Sequence, residues 1–176
     1  MIEQTSGLDT FRWARTAVVA ANLTAAAGDA PRAIELFGQA LRVYDRFGSE
    51  LDPLFVSAAN AMFGSALAEY GQFADAVRLA RASHEPYRQA TVNQQFNSVW
   101  LAATRYANVL HATGDYAQAE KLLSQALATA RAVGISRANS DMTNGERLLA
   151  LNLMARGRHA EAQAMLKEII EIDGAP

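Results

Sequence analysis

The sequence predicts an all-α chain, a superhelical stack of four antiparallel helical hairpins, and three observations predict it. Glycine followed five residues later by alanine occurs at Gly28/Ala33, Gly71/Ala76, Gly114/Ala119 and Gly157/Ala162, with successive glycines 43 residues apart each time. An apolar, helix-favouring segment runs on either side of each glycine, so every unit reads as helix, tight turn, helix. Small residues stand in register seven positions before the glycines, at Ala21, Gly64, Ala107 and Ala150, facing the alanines that follow the turn. Small side chains on both helices let the two backbones approach closely. Larger apolar residues fill the space around the crossing: Phe37, Ala80, Leu123 and Leu166 nine positions after the glycine, and Leu36, Leu79, Leu122 and Met165 eight positions after it.

The 176 residues are enough for one domain with a real core, and the repeat divides them into units at about 9–48, 53–91, 93–134 and 139–173. Asp9 is the expected N-cap of a first helix running to about Ala27, and Pro31 suits the first turn of the second helix. Gly48 to Pro53 reads as the loop between units, with Pro53 opening a helix that continues to about Tyr70. The next helix starts near Phe73 and must end or kink near His84, because Pro86 offers no amide hydrogen and its ring restricts the preceding residue. Residues 87–98 are polar enough for a surface connection, after which helix resumes through Trp100 to Ala112. Gly134 is the expected C-cap of the third unit, since glycine enters the left-handed region at little steric cost. Ile135 to Asp141 then forms a loop. Asn144-Gly145 is expected to weaken the first helix of the last unit or delay its start. The final helix covers about His159 to Ile172.

A net charge of −2, with arginines scattered in ones and twos and lysine only at Lys121 and Lys167, provides no basic stripe for nucleic acid. The absence of cysteine excludes disulfides and thiolate metal sites, and a cytoplasmic setting suits the chain. The apolar stretch 17–27 imitates the core of a secretion signal. It stands in register with the first helices of the other units and is too short and polar to span a bilayer. No catalytic residue, metal site or cofactor is expected. His84, His111 and His159 fall on different units without a second histidine at ligand spacing, and no phosphate-cradling loop or nucleophile elbow is present. Glu168 and Glu171, one turn apart, read as a solvated face.

The segments Ala107…Gly114-Asp115-Tyr116…Ala119…Ala126 and Ala21…Gly28-Asp29…Ala33…Phe37…Ala40 resemble the tetratricopeptide repeat (TPR) family. Ala17, Asn60, Ala103 and Glu146 stand where the family has an early tryptophan, the closing proline is absent, and the period is 43 where the common form has about 34. The longer period is similar to the long-helix variant of kinesin light chains and of many bacterial signalling proteins. The resemblance implies an α-solenoid whose first helices line a concave face and bind a protein or an extended peptide. On that face the family's asparagines commonly hydrogen-bond a peptide backbone, which makes Asn22 and Asn108 the expected ligand contacts. Arg15, Ser65, Glu69, Arg105 and His111 are their neighbours on successive turns, and Arg105, three residues before Asn108, shares its face and could pair with a peptide carboxylate. Val18 and Met62 fall where polar clamp residues of chaperone-tail binders might be sought, so that specificity is not expected. The implied role is a bacterial scaffold or sensory module, part of a larger regulator or working as a dimer. The alternative from another class is a small all-helical biosynthetic or hydrolytic enzyme with no recognisable motif.

The last helix carries more apolar side chains than one packing stripe needs, and repeat stacks generally require polar ends. Ile169, Ile170 and Ile172 are therefore the expected self-association surface for a homodimer. A further domain or an external partner is the other candidate cover.

Overall fold

The computed structural model describes residues 2–86, 92–137 and 139–174, with side chains described outside 2–9, 92–98, Ser49 and Asp173. It divides into two compact units, Met1–Tyr87 and Arg88–Pro176. In the first unit α1 (Ile2–Ala26) pairs with α2 (Ala30–Phe47), and α3 (Pro53–Glu69) pairs with α4 (Phe73–His84). In the second unit α5 (Val92–Ala112) pairs with α6 (Tyr116–Ala132), and α7 (Ser140–Ala155) pairs with α8 (His159–Asp173). The architecture among the described residues is all-α, as the repeat predicts.

The four repeated glycines share one backbone conformation. Gly28, Gly71, Gly114 and Gly157 have φ of 86°, 72°, 81° and 77°. In each turn the glycine N–H donates three residues back, as Gly114 to His111, and the next residue donates five back, as Asp115 to Leu110 at 2.9 Å. That pair of hydrogen bonds satisfies carbonyls which a helix C-terminus leaves orphaned. The residue after the glycine then starts the second helix. Asp29 and Asp115 accept the backbone N–H of Arg32 and Gln118 at 3.2 Å, an N-cap worth about 1 kcal/mol. A Cβ on Gly114 would meet no atom within 4 Å, so the demand for glycine there is purely conformational. Gly114→Ala is expected to cost about 1–2 kcal/mol, read as a lower urea midpoint at constant m-value. An unchanged midpoint would show that the turn tolerates a side chain.

The small-residue columns are the contact points of the hairpins. Ala21, Ala107 and Ala150 are fully buried, as are Ala33, Ala76 and Ala119 across from them. A Cβ added at Gly64 would lie 3.2 Å from the Ala76 carbonyl oxygen and 3.3 Å from the Ala80 nitrogen, so α3 and α4 approach too closely for alanine to enter without a shift. Of the larger residues, Phe37, Ala80 and Leu123 are buried and Leu166 is half-buried. Phe37 stacks on Phe63 with centroids 5.2 Å apart, joining α2 to α3.

Three expected boundaries differ. The first helix begins at Ile2 rather than at Asp9, since no proline interrupts this stretch and a lone Gly7 costs only about 1 kcal/mol in a helix. Helix α5 starts at Val92, so the polar stretch from Asn93 to Ser98 is helical backbone and not part of the connection. Residues 87–91 lie outside the described residues. Helix α7 runs unbroken through Gly145, capped by Asn139, whose side chain accepts from the Asp141 N–H at 2.9 Å. Gly145 has a packing reason: a Cβ there would stand 2.4 Å from Cζ2 and 2.5 Å from Cη2 of the buried Trp100.

Two ion-pair clusters tie the second unit together. Glu146, at 0% exposure, accepts from Arg131 at 2.8 Å and from Arg137 at 3.0 and 3.1 Å, linking the end of α6 and the following loop to α7. Arg137 also reaches Glu168 on α8 at 3.0 Å. Glu120 on α6 accepts from Arg158 at 2.6 Å and from Arg156, both in the α7–α8 turn. Burial pushes the Glu120 carboxyl up, but the hydrogen bonds and charges of the two arginines outweigh it and hold the group below its ordinary range.

Candidate functional site

Helices α1 and α3 lie side by side in the first unit and enclose a cavity of about 350 Å³. Arg15 and Asn22 line it from α1. They are seven residues apart, two turns of helix, and so project from one face. Phe55 and Met62 close it from α3, and Tyr44 of α2 forms a wall behind them. The sequence patterning makes α1 a helix whose small residues Ala14, Ala17 and Ala21 are spent against α2. Arg15, Val19, Asn22 and Leu23 are left toward α3 and solvent.

The polar groups of this cavity are short of partners. The Arg15 guanidinium carbon sits 5.5 Å from the centre of the Phe55 ring, a cation–π contact, and no described carboxylate pairs with it. The Asn22 amide is half-buried and makes no hydrogen bond with described residues. Tyr44 lines the cavity with its ring, edge-on to Phe55 at 5.2 Å, while its hydroxyl is buried out of reach of the cavity and has no hydrogen-bond partner among the described residues. Burial pushes the Tyr44 phenol above its usual range, and the nearby Arg15 charge offsets part of that.

The remaining expected contacts are placed as follows. Ser65 on α3 donates its hydroxyl to the Ala61 carbonyl at 3.0 Å, and Glu69 is exposed at the end of the same helix. Neither lines the cavity. Arg105, Asn108 and His111 all lie on α5 in the second unit. Asn108 is exposed and open to a ligand. The Arg105 Nε is buried without a partner among the described residues, and burial pushes the guanidinium below its ordinary range. His111 is engaged structurally. Its Nδ1 lies 3.2 Å from Oδ1 of Asn152, whose own Nδ2 donates to the Leu148 carbonyl, so the ring nitrogen is the donor. Its ring also stands edge-on to Tyr116 at 5.2 Å. His111 therefore joins α5 to α7.

On the last helix, Ile169 is 2% exposed and packs inward, Ile172 is half-buried, and Ile170 is 70% exposed. Neighbouring helical residues are turned about 100° from each other, so Ile169 and Ile170 cannot share one outward surface. Ile170 instead lines an open apolar cavity of about 670 Å³ with Met154, Ala162 and Leu166.

Sequence reasoning missed Tyr44, Phe55, Asn152 and Glu146 as participants. Only Glu146 left a signal: it is the one acid in a column otherwise made of Ala17, Asn60 and Ala103, of which the two alanines are buried. No described helix is long and apolar enough to cross a membrane.

No protein-family model and no curated protein matches the sequence. Among solved structures, the chain is similar to a Podosopora anserina protein assigned as a kinesin light chain with nearly identical TPR-like repeats. The TM-score is 0.73 at 21% identity, over 91% of this chain and 74% of that one. A point-substituted form of that protein gives a TM-score of 0.75 at 21% identity, over 90% and 74% of the respective chains. With its register of turn glycines and its paired helices, the chain has the TPR-like helical-repeat fold.

Proposed function

We propose that the chain is a protein- or peptide-binding scaffold that works through the outward faces of the first helices of its hairpins, as a sensory module of a larger bacterial regulator in the cytoplasm. One observation carries this reading. Among the described residues, six of the ten exposed large hydrophobics, Trp13, Val19, Leu23, Leu101, Leu151 and Met154, lie on α1, α5 and α7. Val19 and Leu23 on α1, and Leu151 and Met154 on α7, each stand within one helical turn of each other, and apolar side chains left exposed together and rimmed by polar groups mark interaction sites. Asn22 and Arg15 on α1 and Asn108 on α5 supply the amide and guanidinium contacts that fix a bound backbone. This reading assigns no catalytic residue.

Selection of a random displayed-peptide library against the immobilised chain tests it. The expected result is an enriched motif whose synthetic peptide binds in solution. Asn22→Ala and Asn108→Ala should each weaken that binding by about 5- to 10-fold, roughly one hydrogen bond, at unchanged thermal midpoint. Failure to enrich any motif, or affinities indifferent to both substitutions, would overturn the proposal.

A further inference from the structure

We propose that α1 of one copy of the chain packs onto the open α7–α8 face of another, in the way that α7 packs onto α5 and α6 within each copy. The 43-residue period carries this. On α7 the covering surface is one stripe: Gly145 stands against Trp100, and Asn152, two helical turns on, lies 3.2 Å from His111. Met142 and Leu149 complete that stripe by helical spacing, and all four residues are buried. Helix α3 uses the same columns, with Phe63 stacked on Phe37 of α2. Three periods before the α7 stripe, α1 carries Trp13, Thr16, Ala20 and Leu23. There the stripe faces solvent. Trp13 is 45% exposed and Leu23, at the rim of the α1–α3 cavity, is 64% exposed, whereas Met142 and Asn152 are 0% exposed.

The α7–α8 hairpin is open in the matching columns. Leu123 and Leu127 of α6 are buried, but their counterparts one period on, Leu166 and Ile170 of α8, are half-buried and 70% exposed. With Met154 they line the open cavity of about 670 Å³.

What selects α1 as the occupant is that polar partners are lost from both faces together. The His111–Asn152 pair is replaced by Met154 and Leu23, one apolar residue against another. Glu120, which accepts from Arg156 and Arg158, gives way to Gln163, and the two arginines give way to Ala27 and Asp29. Glu146 gives way to Ala17, and its partner Arg131 to Gly174. No charge on either face is therefore left without the counter-charge it has inside the chain, which is the costly outcome when a helix is buried. The contact is heterologous: each copy uses two different faces and leaves one of each free, so assembly proceeds beyond two copies. Val19, Leu101 and Leu151 stand off this stripe and stay open to a ligand, and the inference does not depend on the scaffold reading.

Sedimentation velocity of the whole chain over a range of concentrations tests it, with Leu23→Lys to disable the α1 face and Ile170→Lys to disable the α7–α8 face. Both positions are exposed and lie in the last turns of their helices, where a lysine suits the helix dipole. Each variant should therefore keep the helical content and the dilute-solution thermal midpoint of the wild type. The wild type is expected to gain mass with concentration, past the dimer. Either variant alone should associate about 10-fold or more weakly, the loss of one buried leucine or isoleucine side chain. An equimolar mixture of the two should form a dimer that grows no further, because each supplies the face that the other lacks. A wild type that stays monomeric at millimolar concentration would overturn the proposal and leave the α7–α8 face to a further hairpin. Association that survives Leu23→Lys but not Ile170→Lys would overturn it too, in favour of a symmetric contact between two α8 helices.

Discussion

Replacing Arg131 and Arg137 together by methionine is expected to lower the stability reported by Trp100 by about 3–5 kcal/mol, the usual cost of stranding a buried charge. Glu146 is fully buried and its hydrogen bonds come from these two guanidiniums, which are themselves half-exposed. Removing both leaves a carboxylate inside the second unit with neither water nor counter-charge. Either single substitution should cost less, because Arg137 alone still donates to both carboxylate oxygens and Arg131 alone still donates to one. Adding Glu146→Leu to the double variant should recover most of the loss, since apolar replacements of buried ion pairs are often neutral. The chain has two tryptophans, Trp13 in the first unit and the buried Trp100 in the second, so urea unfolding in a Trp13→Phe background reads the second unit by fluorescence. A double variant as stable as the wild type would mean that Glu146 does not need its partners.

Gly145→Ala is expected to destabilise by about 1–3 kcal/mol through overpacking, although alanine is better than glycine inside a helix by about 1 kcal/mol. The two effects have opposite signs, and the geometry decides between them. The new methyl would sit 2.4 Å from a ring carbon of Trp100, and that ring is 4% exposed, so either it or α7 must shift. Trp100→Phe removes the two ring atoms in question. The double variant Trp100→Phe/Gly145→Ala should therefore be more stable than the sum of the singles implies, by about 0.5–3 kcal/mol of coupling. Far-UV circular dichroism during urea unfolding measures all three variants. A stabilising Gly145→Ala would show that helix propensity wins and that α7 and α5 are not in this contact.

What was legible in the sequence follows from where each constraint is local. The turn glycines announce themselves because a positive φ is a property of one residue, and Asp29 and Asp115 add caps at fixed offsets. Pro86 stops α4 at His84 for a similarly local reason. The start of α5 was not legible, because amide-rich residues suit a surface loop and a helix alike when no proline or glycine intervenes. Gly145 looked like a weak point because its explanation, the ring of Trp100, comes from another helix. The site divides the same way. Arg15 and Asn22 share a face by helical spacing alone and meet in one cavity. Tyr44 and Phe55 arrive from two other helices, so no periodicity of α1 could point to them. His111 shares a face with Arg105 and Asn108 on paper, yet its partner Asn152 on α7 makes it structural.

The shared geometry of the four glycine turns has an evolutionary consequence. Each joint closes its backbone hydrogen bonds within seven or so residues and takes none of these from the neighbouring hairpin. A segment of 43 residues cut at equivalent points therefore begins and ends with the same chemistry, and its duplication or loss leaves no carbonyl or amide newly unpaired at the seam. The array can lengthen or shorten by whole modules while single-residue insertions, which shift a glycine out of its left-handed position, are penalised.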